Sequence, residues 1–176
     1  MRALLDACVL YPTIQREILL GAAEAGAFTP LWSARVLEEW ARAAARAGPD
    51  VGAQARVEIA LLRNRWPGAE VAVPVRDDLW LPDPDDLHVL SAAIEGGAGV
   101  IVTRNLKDFP RRALAGQGLE AVGPDAFLLS RHMERDLAQV VEDVRARTEA
   151  ISGRAQPLRP LLKRAGLPRL ARALSG

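Results

Sequence analysis

The chain has 176 residues, 49% of them apolar, one cysteine and a formal net charge of +1. That is one domain, or one domain with an appendage, and it is long enough to bury a core. The composition excludes a disordered chain and a disulfide scaffold. Arg2 and Asp6 interrupt any apolar start, and no apolar run approaches the ~20 residues of a membrane span. A cytoplasmic protein with no membrane role is expected.

The small net charge hides an asymmetry. Residues 1–128 hold 13 basic and 17 acidic side chains, while residues 129–176 hold 10 and 5. From Ser152 onward there are six basic residues and no acidic one. Such a segment meets nucleic acid or an acidic partner, or is simply a solvated helical face.

Ala3-Leu4-Leu5 reads as a central strand that delivers Asp6 at its carboxyl end. Thr13 is a candidate cap for a helix over 13–25, with Ile14, Ile18 and Leu19 inward and Gly26 as the stop. Residues 28–32 are extended around Pro30. Ser33 caps the next helix, whose stripe is Val36, Leu37, Trp40 and Ala44; Glu38 and Glu39 diverge by about 100° on it. A further helix spans 51–66, with Val57, Leu61 and Leu62 inward and Pro67-Gly68 ending it.

A β-rich stretch over 70–75 reads as a strand, followed by Asp77 and Asp78 in a loop. Asp83, Asp85 and Asp86 then precede a helix bearing Leu87, Leu90, Ala93 and Ile94. Capping of that helix, with Pro84 at its first position, accounts for most acidic clusters of this kind. Val100-Ile-Val102 reads as a strand buried on both faces, and Thr103, Asn105 and Asp108 follow its carboxyl end. A short helix over 111–115, a strand over 119–122 and a long helix from Pro124 to about Ile151 complete the body. Two short amphipathic pieces, 161–165 and 170–174, lie beyond Ser152-Gly153. Alternating strands and helices predict an α/β fold with a mainly parallel central sheet.

Elimination narrows the chemistry. There are two histidines, no nucleophile elbow, no zinc spacing and no phosphate-binding glycine motif. Cys8 reads as a small buried hydrophobe rather than a nucleophile. Carboxylates remain: Asp6, Glu39, Asp86 and Asp108. Two of them 4 Å apart repel by about 4 kcal/mol at an effective dielectric near 20. A hard divalent cation removes that cost and suits phosphodiester hydrolysis.

Four ordered blocks carry a resemblance. Asp6 after the first strand, Ser33-Ala-Arg-Val-Leu-Glu-Glu39, Asp83-Pro-Asp-Asp86-Leu-His-Val-Leu-Ser-Ala-Ala and Val102-Thr-Arg-Asn-Leu-Lys-Asp-Phe109 look like the successive motifs of PIN-domain nucleases. The nearest branch is the VapC-like ribonuclease toxins. The resemblance covers about residues 2–128. It implies a PIN-like nuclease domain over 1–128 and a C-terminal helical extension over 129–176.

It also implies that Asp6 and Asp86 hold Mg²⁺ or Mn²⁺, with Glu39 as the acid of the second helix. Asn105 stands where many members carry Asp, and Asp108 lies three residues on, so either completes the site. Thr103 would hydrogen-bond near it. Cys8 stands where many members carry Asn. The implied activity is RNA cleavage, with a small antitoxin protein and a second copy of the chain as partners. Two other readings are a PIN-fold binding module without turnover and a phosphatase using Asp6 as nucleophile; the second lacks the acid it needs at position 8.

Overall fold

A computed structural model describes residues 1–74, 76 and 78–175. They fall into two compact units that do not follow chain order. One comprises Met1–Tyr11 and Thr29–Val122; the other comprises Pro12–Phe28 and the chain from Gly123 onward. This is a different division from the family-based one at 128/129. Among the described residues no helix is long and apolar enough to cross a membrane.

The first unit is built on a parallel sheet of β1 (Arg2–Leu5), β2 (Thr29–Ser33), β3 (Glu70–Val71), β4 (Val100–Val102) and β5 (Glu120–Val122), in the order β3-β2-β1-β4-β5. The expected α/β architecture is therefore present. Leu4, Leu5, Trp32 and Ile101 are fully buried, as residues of a sheet covered on both faces must be. Between the strands run α1 (Ala7–Leu10), α3 (Ala34–Ala47), α4 (Pro49–Arg65), α5 (Leu87–Glu95) and α6 (Arg111–Ala115). Helix α5 packs against β1, β2 and β4.

Register decides what meets at the carboxyl edge. Leu5 pairs with Val102, so the next residues of both strands, Asp6 and Thr103, emerge side by side. The Asp6 N–H still donates to the Val102 carbonyl at 3.1 Å. The Thr103 N–H donates to the Val122 carbonyl at 3.0 Å. Both side chains are thus fixed at the edge where a parallel sheet presents its site.

Several expectations need correction. Val57 and Leu61 on α4 are 55% and 62% exposed. Leu62 is buried as expected, but it is joined by Gly52, Ala55 and Ile59, because α4 turns the face bearing Gly52 against Ala45 of α3. The strand expected over 70–75 is only Glu70–Val71, and Val75 and Asp77 lie outside the described residues. Asp83 does act as a cap, accepting from the Asp85 N–H at 2.9 Å, but of a 3-10 turn over Pro84–Asp86 that precedes α5.

The second unit contains α2 (Thr13–Glu24), α7 (Pro124–Glu134), α8 (Ala138–Ser152), α9 (Leu158–Arg164) and α10 (Pro168–Ala173). Thr13 is the first residue of α2 and not its cap, which is Pro12. Helix α2 packs against α7 and α8, and Phe28 meets Phe127 edge to face at 4.9 Å. The single long helix expected from Pro124 to Ile151 is two. Arg135 is extended, the Leu137 N–H donates to His132 Nδ1 at 3.1 Å, and Asp136 caps α8 through the Ala138 N–H at 2.9 Å. The break turns Leu137 fully inward. Asp125 caps α10, accepting from the Arg169 and Leu170 N–H groups at 2.9 and 3.0 Å.

Candidate active site

The acidic edge of the first unit is built from three segments: the end of β1, the turn before α5 and the loop after β4. Asp6 follows β1, caps α1 and is 6% exposed. One of its oxygens accepts from the Ala7 N–H at 2.6 Å. The other accepts from Thr103 Oγ1 at 2.7 Å and from Cys8 Sγ at 3.2 Å. Thr103, fully buried, also accepts from the Asn105 N–H at 3.1 Å. Asp6 is therefore held by groups from both strand ends before any ligand arrives.

Cys8 belongs to this framework, although its sequence context suggested only an apolar filler. Burial, then the Asp6 carboxylate, pushes its thiol up to about 11. The thiol keeps its proton at neutral pH and donates to Asp6. It accepts in turn from the Arg104 N–H at 3.2 Å and lies 3.4 Å from Thr103 Oγ1.

Asp86 closes the 3-10 turn before α5 and is partly buried. Burial first, and then the negative charges of Asp6, Asp108 and Asp83, push its carboxyl up to about 6. His88 opposes this only weakly, and no hydrogen bond from the described residues offsets it. Asp108 ends the 3-10 turn Leu106–Asp108, while Asn105 is exposed. Asp6, Thr103, Asp86 and Asp108 thus share one electrostatic neighbourhood.

Glu39 has different company. His88 Nε2 lies 2.9 Å from its carboxylate, and Arg35 Nε lies at 3.4 Å. Burial would raise its pKa, but His88 and then Arg35 outweigh that and hold the carboxyl below its usual range. Arg35 also donates to the Asp85 carbonyl at 3.2 Å, tying α3 to the acidic loop. Glu38 points elsewhere, pairing with Arg42 and Arg56 at 3.2 and 3.4 Å. Arg35 was findable four residues before Glu39 on one helix face. His88 was not, because its partner lies on another element. Beside this pair opens a cavity of about 830 Å³ lined by Ser33, Arg35, Val71, Arg76, His88 and Ser91, among others.

The donor chemistry around Asp86 suits a hard divalent cation: its carboxyl feels three other carboxylates, and among the described residues His88 offsets them only weakly. Among the described residues, no three His, Cys, Asp or Glu side chains close on one point as a metal-binding group. Mg²⁺ needs only one or two carboxylates, with waters and substrate phosphate filling its shell. Asp6 and Asp86 put two carboxylates on this edge, and Asp86 feels the charge of Asp6.

A family model described as a PIN domain matches residues 2–107. A protein named putative ribonuclease VapC50, from Mycobacterium tuberculosis, is 52% identical over 46 residues, or 26% of this chain and 27% of that protein. The chain therefore matches that relative over little more than a quarter of its length. No solved structure matches.

Proposed function

The chain belongs to the PIN-domain family, and from that premise we propose that it is a Mg²⁺- or Mn²⁺-dependent endoribonuclease, the toxin of a toxin–antitoxin pair. The observation that carries this reading is Asp86: a carboxyl pushed up to about 6 by burial and by Asp6, Asp108 and Asp83, which His88 offsets only weakly. Asp6 and Asp86 would hold the metal. Of the two candidates for the further position, Asp108 is favoured over Asn105, since Asp86 feels its charge. A bound ion supplies an acidified water and positive charge for the phosphodiester oxygens.

The chain's own groups do the rest. Thr103 and Cys8 fix the rotamer of Asp6. Glu39, held by His88 and Arg35, orients the attacking water. The cavity beside His88 accepts part of the RNA strand, which must be single-stranded or looped to enter. The domain proposed to do this is residues 1–128, with 129–176 as a helical extension. The one cysteine fits a reducing cytoplasm. Val57 and Leu61, exposed one turn apart on α4, support a protein surface for an antitoxin or a second copy.

The test is cleavage of single-stranded RNA by the purified chain. Activity should require Mg²⁺ or Mn²⁺, vanish with chelator and return on adding the ion. Cleavage indifferent to chelator would end the proposal. The absence among the described residues of a closed three-donor group favours a second reading, a PIN-fold binding module without turnover. Tight RNA or protein association with no cleavage at any metal concentration would select it.

The Glu39–His88 contact yields its own expectation. His88→Ala should lower the cleavage rate by about tenfold, as is usual for a partner of a site carboxylate. Glu39→Gln should cost at least as much, and the double variant no more than Glu39→Gln alone, because the pair acts as a unit. Additive losses measured in a double-mutant cycle would show that His88 acts elsewhere.

A further inference from the structure

The last part of the second unit carries a charge pattern seen nowhere else in the chain. Arg154, Arg159, Lys163, Arg164, Arg169 and Arg172 are all exposed, and the last acidic residue before them is Glu149. Among the described residues none of the six meets a carboxylate. Earlier helices behave differently: Arg35–Glu39, Arg42–Glu38, Arg131–Glu134 and Arg145–Glu142 all pair at three- or four-residue spacing. In α9 the same spacing sets Arg159 beside Lys163, and in α10 Arg169 beside Arg172. Like charges at that spacing weaken a helix slightly. The helix dipole favours Lys163, Arg164 and Arg172 in the last turns, but local stability gives no reason for Arg159 and Arg169 in the first turns.

The apolar face of this segment is already in use. Leu161, Leu162, Leu167, Leu170 and Ala171 are buried, and no large hydrophobic beyond Ile151 is exposed among the described residues. A protein interface needs a desolvated apolar or aromatic anchor at its centre. A field of cations with no such anchor is instead what a phosphate backbone requires.

We infer that the exposed cations of α9 and α10 form a phosphate-backbone contact for single-stranded RNA, separate in function from the acidic site. The inference rests on the reading that RNA is what this chain acts on. The contact is sequence-independent: it raises affinity and leaves the choice of cleavage position to the acidic site.

The experiment measures binding of a fluorescein-labelled oligouridylate to the full chain in chelator, across a salt series. Each backbone contact contributes about 0.7 to the slope of log affinity against log salt. The variant Arg159→Gln/Lys163→Gln/Arg169→Gln/Arg172→Gln should lower that slope by roughly 1.5 to 3. All four side chains are exposed, so its melting curve should match the parent's. A control variant, Arg42→Gln/Arg56→Gln, should leave the slope unchanged, since both arginines are engaged by Glu38. An unchanged slope in the tail variant, or an equal drop in both, overturns the inference. So does a tail variant that keeps its RNA slope but loses a co-purifying acidic protein. Because binding is read without metal, loss of the nuclease reading appears separately, as intact binding without cleavage when metal is restored.

Discussion

Asp86→Asn is expected to make the protein more stable while stopping it from cleaving RNA. In the folded chain Asp86 keeps its proton up to about pH 6, whereas an unfolded aspartate loses it near 3.9. Between those values the folded state binds more protons, so stability falls as pH rises through the window. Above about pH 6 the ionised side chain carries its full penalty. Two units amount to ~3 kcal/mol, but the group is only partly buried and solvent screening reduces this to about 1 kcal/mol. The variant should therefore melt roughly 2 to 4 °C higher at pH 8, with the gap closing by about pH 4. Its cleavage rate should fall by about a thousandfold, as the loss of several kcal/mol of metal-borne stabilisation implies. Mg²⁺ should raise the melting temperature of the parent and not of the variant. A variant that melts lower at pH 8 would show that the carboxylate is satisfied by something other than a cation.

Gly52→Ala should destabilise the chain, against the rule for helices. In an open helix interior the change gains about 0.5 to 1 kcal/mol. Here a Cβ would lie 2.9 Å from the Ala45 Cα and 3.0 Å from its Cβ, so α4 and α3 would have to part. The expected cost is about 1 to 3 kcal/mol, or a melting temperature lower by roughly 2 to 12 °C. Gly68→Ala serves as control, because nothing lies within 4 Å of its added Cβ; it should change the melt by less than about 0.5 kcal/mol. The loss should extend to activity, since α3 carries Glu39 and any shift of its axis moves that carboxylate relative to His88. Calorimetry and the RNA assay on the same samples check both parts.

Much of the first unit was legible because its signals are local. Val100-Ile-Val102 could only be a strand buried on both faces, and Ser33 caps α3 as its chemistry suggests, accepting from the Val36 N–H at 3.2 Å. That Asp6 and Thr103 each follow a strand end was legible, but their meeting rests on the pairing of β1 with β4, which chain order does not give. What escaped was decided across elements. Val57 and Leu61 have helical spacing, yet α4 buries the face of Gly52, Ala55, Ile59 and Leu62, where Gly52 lies close to Ala45 of α3. Continuous helical periodicity ran through Arg135, and only the burial of Leu137 broke it. Cys8 reads as an apolar residue until the β4 loop brings the Arg104 N–H and Thr103 to its sulfur. His88 and Glu39 are both visible in sequence, but nothing in either helix announces that they meet.

The discontinuous second unit has a consequence for how the chain is made. Helix α2 is translated almost first, yet its partners α7 and α8 are translated after the whole sheet, about a hundred residues later. At ribosomal speed that is roughly 5 to 20 s. Throughout that interval α2, whose Ile18, Leu19 and Leu20 are buried in the finished protein, lacks the helices it finally packs against. A nascent chain halted before Gly123 would leave it so, and would be a client for chaperones or proteases. Quality control would then discard an unfinished copy whose sheet and acidic edge were already complete.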